Sequence, residues 1–124
     1  MTQPLALLLY ERLLPGSQLV NRLEDQGYRV KTIGSPSALV ETALLEKPIV
    51  VLVDMVYKAD NASSAIARLR DTPGTRHLPV IAVVPPDANN LEVEATAAGA
   101  TLIVKDSAIL VHLQPLLERA LEVE

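Results

Sequence analysis

Residues 49 to 54 read IVVLVD, and this stretch largely determines the fold. Five aliphatic residues, Ile49 to Val53, follow one another without a polar break before Asp54. A strand that lacks polar alternation is typical of a parallel sheet covered by helices, because both of its faces are buried. We therefore predict a central strand that ends at Asp54.

The rest of the chain alternates between short apolar segments and longer segments in which apolar residues return every three or four positions, the period of a helix with one buried face. The predicted strands span residues 5–10, 28–33, 49–53, 80–84 and 102–104. Five alternating strands and helices predict an α/β fold, a doubly wound parallel sheet with helices on both faces. We expect residues 1–124 to form one domain.

Local signals set the predicted helix ends. The first helix should end near Gly27, and a Ser35-Pro36 start suits a second helix that runs to about Glu46. Asn61 is a candidate cap for the third helix. The fourth should run from about Asn90 to Gly99, and the last carries Leu113, Leu116, Leu117 and Leu121, with a kink or restart at Pro115.

Composition narrows the functional classes. Apolar residues make up 49% of the 124 residues, which is enough for a folded core, and the absence of cysteine excludes disulfides and thiolate chemistry. No apolar run reaches membrane-spanning length, and the N-terminus lacks a signal-peptide pattern, so we expect a cytoplasmic protein without a membrane partner. A net charge of −4, with no Phe or Trp, argues against direct nucleic-acid binding.

Candidate chemistry lies at the carboxyl ends of the predicted strands, where parallel sheets gather their functional groups. These ends carry Tyr10, Glu11, Asp54, Val84 and Lys105. Two carboxylates could hold Mg²⁺, and a lysine could neutralise a phosphoryl group on Asp54. An isolated Asp or Lys at such a position is also an ordinary solvent-facing strand boundary, so the prediction depends on the joint placement of these residues.

Several motifs give the chain a resemblance over its whole length to the receiver domain of two-component response regulators. They are Gly27-Tyr-Arg-Val30, Ile49 to Asp54, Pro79-Val-Ile-Ala82, and Gly99-Ala100 leading to Lys105. The resemblance implies a flavodoxin-like three-layer fold with strand order 2-1-3-4-5. It also implies phospho-acceptance by Asp54, a phosphoryl-clamping role for Lys105, Mg²⁺ binding by Glu11 and Asp54, and a histidine kinase or other signalling protein as partner.

The sequence departs from the receiver pattern at several positions. Tyr10 replaces the first acid of the metal pair, Val84 replaces the hydroxyl residue after the fourth strand, and Leu102 occupies the place of the switch aromatic. In addition, Lys58 and Asp106 replace prolines. These changes predict weak Mg²⁺ binding at most and a phosphorylated state that lacks a stabilising hydrogen bond.

The favoured hypothesis is therefore an atypical receiver without enzymatic activity of its own, acting mainly through protein interactions. The resemblance implies that these contacts, and any homodimer of this chain, use the face formed by the fourth helix, fifth strand and fifth helix. The first alternative is a competent receiver phosphorylated on Asp54. The second is a flavodoxin-like nucleotide or flavin binder, although residues 11–17 lack a glycine-rich phosphate loop.

Other polar residues have simpler interpretations. His77 and His112 have no acidic partner nearby in the sequence and are predicted to lie at the surface. Tyr10 and Tyr57 flank the acidic edge, where they either cover the crevice or form its amphipathic rim.

Overall fold

The structure is a computed structural model that describes residues 4–10, 13–56 and 62–122. The five strands are β1 (Leu5–Leu9), β2 (Arg29–Ile33), β3 (Val50–Asp54), β4 (Val80–Val84) and β5 (Leu102–Lys105). The helices are α1 (Leu13–Asp25), α2 (Leu39–Glu46), α3 (Ala62–Asp71), α4 (Asn89–Ala98), α5 (Asp106–Ile109) and α6 (Leu113–Glu122), and a 3₁₀ turn (Pro36–Ala38) precedes α2.

The five strands form one sheet in the order β2-β1-β3-β4-β5, with every neighbouring pair parallel. This confirms the predicted fold class and strand order. The chain reverses its direction of travel across the sheet between β1 and β3, and the crevice of a doubly wound sheet opens at such a point. Asp54 ends the strand on one side of this reversal and Tyr10 follows the strand on the other.

The central strands are buried on both faces, as their unbroken apolar sequences predict. Every residue of β1, β3 and β4 is buried. Alternate residues face two helical layers, because successive side chains of a strand point in opposite directions. One layer contains α2, α3 and α4, and the other contains α1, α5 and α6.

Helix boundaries follow the predicted local signals. The side chain of Ser35 accepts a hydrogen bond from the amide of Ser37, and Pro36 opens the 3₁₀ turn that leads into α2. Gly27 (φ 90°) follows α1, and Gly99 (φ 109°) ends α4, both in conformations that favour glycine. The predicted Asn61 cap lies outside the described residues.

The last helical segment is divided in two. The short helix α5 ends at Ile109, and α6 begins at Leu113, so the restart that the sequence predicts comes two residues before Pro115. Pro115 thus falls in the first turn of α6, where backbone amides need no helical acceptor, and costs the helix little.

Arg70, near the end of α3, ties three segments together at the amino-terminal end of the sheet. Its Nε donates to the carbonyl of Gly99 at 2.8 Å, and its Nη1 donates to the carbonyls of Arg76 and Leu78 at 2.7 Å each. Its Nη2 donates to Oγ1 of Thr101 at 3.1 Å. One guanidinium therefore links α3, the approach to β4 and the α4–β5 turn.

Of the helices in the described part of the chain, none combines the length and apolar character required to cross a lipid bilayer.

Candidate functional site

Asp54 is the last residue of β3, and it is completely buried, with 0% of its surface exposed. The backbone amide of Val56 donates to its Oδ1 at 3.2 Å, and the amide of Met55 donates to the carbonyl of Val83 at 2.9 Å. These bonds fix the chain as it leaves β3. A buried carboxylate needs such partners, since taking a charge out of water is costly.

Tyr10 lies beside Asp54 at the ends of neighbouring strands. Leu9 and Val53 are register partners, so the residues after them, Tyr10 and Asp54, come next to each other along the ladder. The amide of Tyr10 donates to the carbonyl of Ile33 at 3.4 Å. Its side chain is half-buried, its hydroxyl oxygen is buried, and it packs with the α1, α5 and α6 layer. An amphipathic ring therefore lies where the resemblance expects a carboxylate.

Val84 ends β4 and is completely buried. Its neighbour Val83 is the register partner of Asp54. Val83 packs in the α1, α5 and α6 layer, whereas Val84 packs on the opposite side with α2, α3 and α4. The position where the resemblance expects a hydroxyl group thus belongs to the apolar core.

Lys105 ends β5 at the same edge of the sheet, in register with Val84. Because β4 separates β3 from β5, two strand spacings of about 4.8 Å each lie between the backbones at Asp54 and Lys105. The Nζ of Lys105 lies 3.0 Å from Oε2 of Glu92 in α4. The structure therefore brings Lys105 to the predicted edge and gives it an acidic partner that the sequence analysis missed.

Two further positions concern the departures from the receiver pattern. Leu102 is half-buried and packs with the α1, α5 and α6 layer, so an aliphatic side chain occupies the place of the switch aromatic. Asp106 directly follows Lys105 and begins α5. Glu11, Tyr57 and Lys58 lie outside the described residues. His77 and His112 are exposed, which confirms their predicted surface positions.

The described residues fit Mg²⁺ poorly. Within the ranges 4–10, 13–56 and 62–122, no three His, Asp or Glu side chains lie close enough together to hold a metal ion. Mg²⁺ prefers carboxylate oxygens and bound water, and the described end of β1 offers a tyrosine instead. Among the described residues, Asp54 supplies the carboxylate at the end of the central strand, and this residue is completely buried.

Comparison with known proteins shows the fold. No protein-family model matches the chain, and no curated protein matches it. Among solved structures, it is similar to the receiver domain of a sensor histidine kinase from Pseudomonas aeruginosa, which was solved with a magnesium ion in its active-site cleft. That pair has a TM-score of 0.88 and 20% identity, over 98% of this chain and 99% of the other.

Two further structures agree. The signal receiver domain of a signal transduction histidine kinase from Syntrophus aciditrophicus has a TM-score of 0.85 at 19% identity, over 96% of this chain and 90% of the other. A chemotaxis response regulator from Vibrio cholerae has a TM-score of 0.84 at 18% identity, over 96% and 99%. The chain therefore has the flavodoxin-like fold of response-regulator receiver domains.

Proposed function

We propose that this chain is a receiver domain of two-component signalling that has lost most of its phosphate chemistry and acts mainly by binding other proteins. The receiver fold, with Asp54 at the carboxyl end of its central strand, supports the first part. One observation carries the second part: the Asp54 carboxylate is completely buried. A phosphoryl donor reaches it only after the residues that cover it have moved.

The neighbouring positions support the same proposal. Val84 has no hydrogen-bond donor for a phosphoryl oxygen. A hydrogen bond in which one group is charged contributes about 1.5 to 3 kcal/mol, and a phosphorylated Asp54 would lack it here. Tyr10 supplies no carboxylate for a metal ion. We infer that Mg²⁺ binds weakly at most and that Glu11 and Asp54 would be its ligands.

The proposed partner is a histidine kinase or another signalling protein, and the proposed place of their interaction is the cytoplasm. The proposed contact surface is the face formed by α4, β5 and the C-terminal helix α6, which could also pair two copies of the chain. Val93, on α4, is 68% exposed and gives this side of the molecule an apolar element. No enzymatic activity is proposed beyond transfer of a phosphoryl group at Asp54.

Exposure to acetyl phosphate tests the proposal. In a competent receiver, an Asp54 oxygen attacks phosphorus, the bond from phosphorus to the acetate oxygen breaks, and acetate leaves. After incubation with Mg²⁺ and acetyl phosphate, we expect the intact mass of neither the wild-type protein nor Asp54→Ala to increase by a phosphoryl group. An acid-labile gain of one phosphoryl group in the wild type alone would instead establish a competent receiver phosphorylated on Asp54.

The competent receiver is the second candidate because one observation favours it. Asp54 and Lys105 end their strands at the same edge of a receiver-type sheet, where Asp54 pairs with Val83 and Lys105 pairs with the next β4 residue, Val84. The flexible stem of Lys105 would carry its ammonium group toward a phosphoryl group on Asp54 if it turned toward β3.

A further inference from the structure

Lys105 is paired with an acid on a helix. Its Nζ lies 3.0 Å from Oε2 of Glu92, which belongs to the first turn of α4. The two side chains are 46% and 37% exposed, so the pair sits at the surface. The contact joins the end of β5 to the beginning of α4.

Strand geometry explains why Lys105 meets α4. Along β5, Leu102 and Val104 pack with the α1, α5 and α6 layer, whereas Ile103 packs with α2, α3 and α4. Alternation therefore sends the stem of Lys105 to the α4 side. Along β3, the same alternation places Asp54 with Val50 and Leu52, on the other side of the sheet.

We propose that Glu92 is a positioning residue that holds Lys105 on α4 and competes with Asp54 for its ammonium group. This inference relies on the proposed function for the importance of Asp54. The Glu92 pair links α4 to the end of β5 without any phosphoryl group. This contact within the proposed binding face is then present without phosphorylation, as suits a receiver that acts by protein contact.

The pair is weak enough to be exchanged. Exposed ion pairs contribute little because water screens the charges and two long side chains lose freedom. A lysine has a flexible four-carbon stem, so the Lys105 side chain can turn across the end of β4 once the charge of Glu92 is removed by substitution with Gln. Because Asp54 is buried, water screens its attraction for the Lys105 ammonium group less than it screens the attraction of Glu92 in the wild-type protein.

Amide NMR of charge-neutral variants tests the competition. Val56 is the reporter, because its amide donates to Oδ1 of Asp54. We expect Glu92→Gln to shift the Val56 amide resonance. Glu94→Gln, the matched control, makes the same charge change at an exposed residue of the same helix and should leave that resonance in place. In a Lys105→Met background, Glu92→Gln should no longer shift it.

Two results would overturn the inference: an unchanged Val56 resonance in Glu92→Gln, or a shift that persists when Lys105 is replaced by Met. Both Gln substitutions are at surface positions of a helix and remove only a charge, so the fold is retained. No phosphate donor is used. A failure here therefore leaves the proposed function standing, and phosphorylation of the wild type by acetyl phosphate would leave this competition standing.

Discussion

Asp54 and Val83 are register partners on neighbouring parallel strands, and this pairing places Val84 one position beyond the acid at the end of β4. Both valines are completely buried, on opposite faces of the sheet. Buried apolar side chains therefore lie beside the end of β3 on its β4 side. The chemistry at Asp54 depends on how tightly these side chains pack.

A hydroxyl group at position 84 should weaken the fold. Val84→Thr places an oxygen in the core, so we expect the free energy of unfolding to fall by about 1 to 3 kcal/mol in urea denaturation. Val83→Thr, which makes the same change on the opposite face, should have a similar cost. If Val84→Thr were neutral while Val83→Thr was costly, position 84 would have a polar partner and would not belong to the dry core.

Arg70 should be essential for stability through its shape as well as its charge. Arg70→Lys keeps the charge but cannot reproduce the planar fork that donates to Gly99, Leu78 and Thr101. We expect a loss of about 2 to 4 kcal/mol in urea denaturation, because hydrogen bonds from a charged group contribute about 1.5 to 3 kcal/mol each and are not additive. Arg68→Lys, at an exposed position of the same helix, should change little. Equal stability of the two variants would contradict this role.

Gly99 should tolerate no side chain. Its φ of 109° is rarely adopted by other residues, and a Cβ there would lie 2.7 Å from Cγ of Arg70. We expect Gly99→Ala to lower the melting temperature by several degrees, as a loss of more than about 1 kcal/mol would in a domain of this size. Gly34→Ala is the control, since a Cβ at Gly34 meets nothing within 4 Å. A Gly99→Ala protein as stable as Gly34→Ala would show that the α4–β5 turn adjusts freely.

Much of the fold was predictable because its signals are local. The unbroken apolar segment ending at Asp54 identified the central strand, and Ser35-Pro36 identified a helix start. Asp54 and Lys105 could be placed at the carboxyl ends of their strands because each directly follows an apolar segment. The predicted bounds differ from the observed strands by one residue at most.

Other features depend on contacts between distant residues and carry no local signal. Arg70 bonds to groups 29 and 31 residues away, and nothing near it in the sequence names those acceptors. Which acid pairs with Lys105 depends on the side-chain rotamers at one edge of the sheet. In the sequence, Glu92 looks like an ordinary acidic residue near the start of a helix. The complete burial of Asp54 likewise results from packing around it.

We propose that a receiver-type site persists here and that Tyr10 and Val84, beside the buried Asp54, disable its phosphoryl chemistry. The most direct measurement is the intact mass of the double variant Tyr10→Asp/Val84→Thr after incubation with Mg²⁺ and acetyl phosphate. We expect an acid-labile gain of one phosphoryl group, which disappears when Asp54→Ala is added and is much smaller in Tyr10→Asn/Val84→Thr, where no carboxylate is restored. A folded double variant that takes up no phosphoryl group, or a wild-type protein that is labelled just as well, would contradict it.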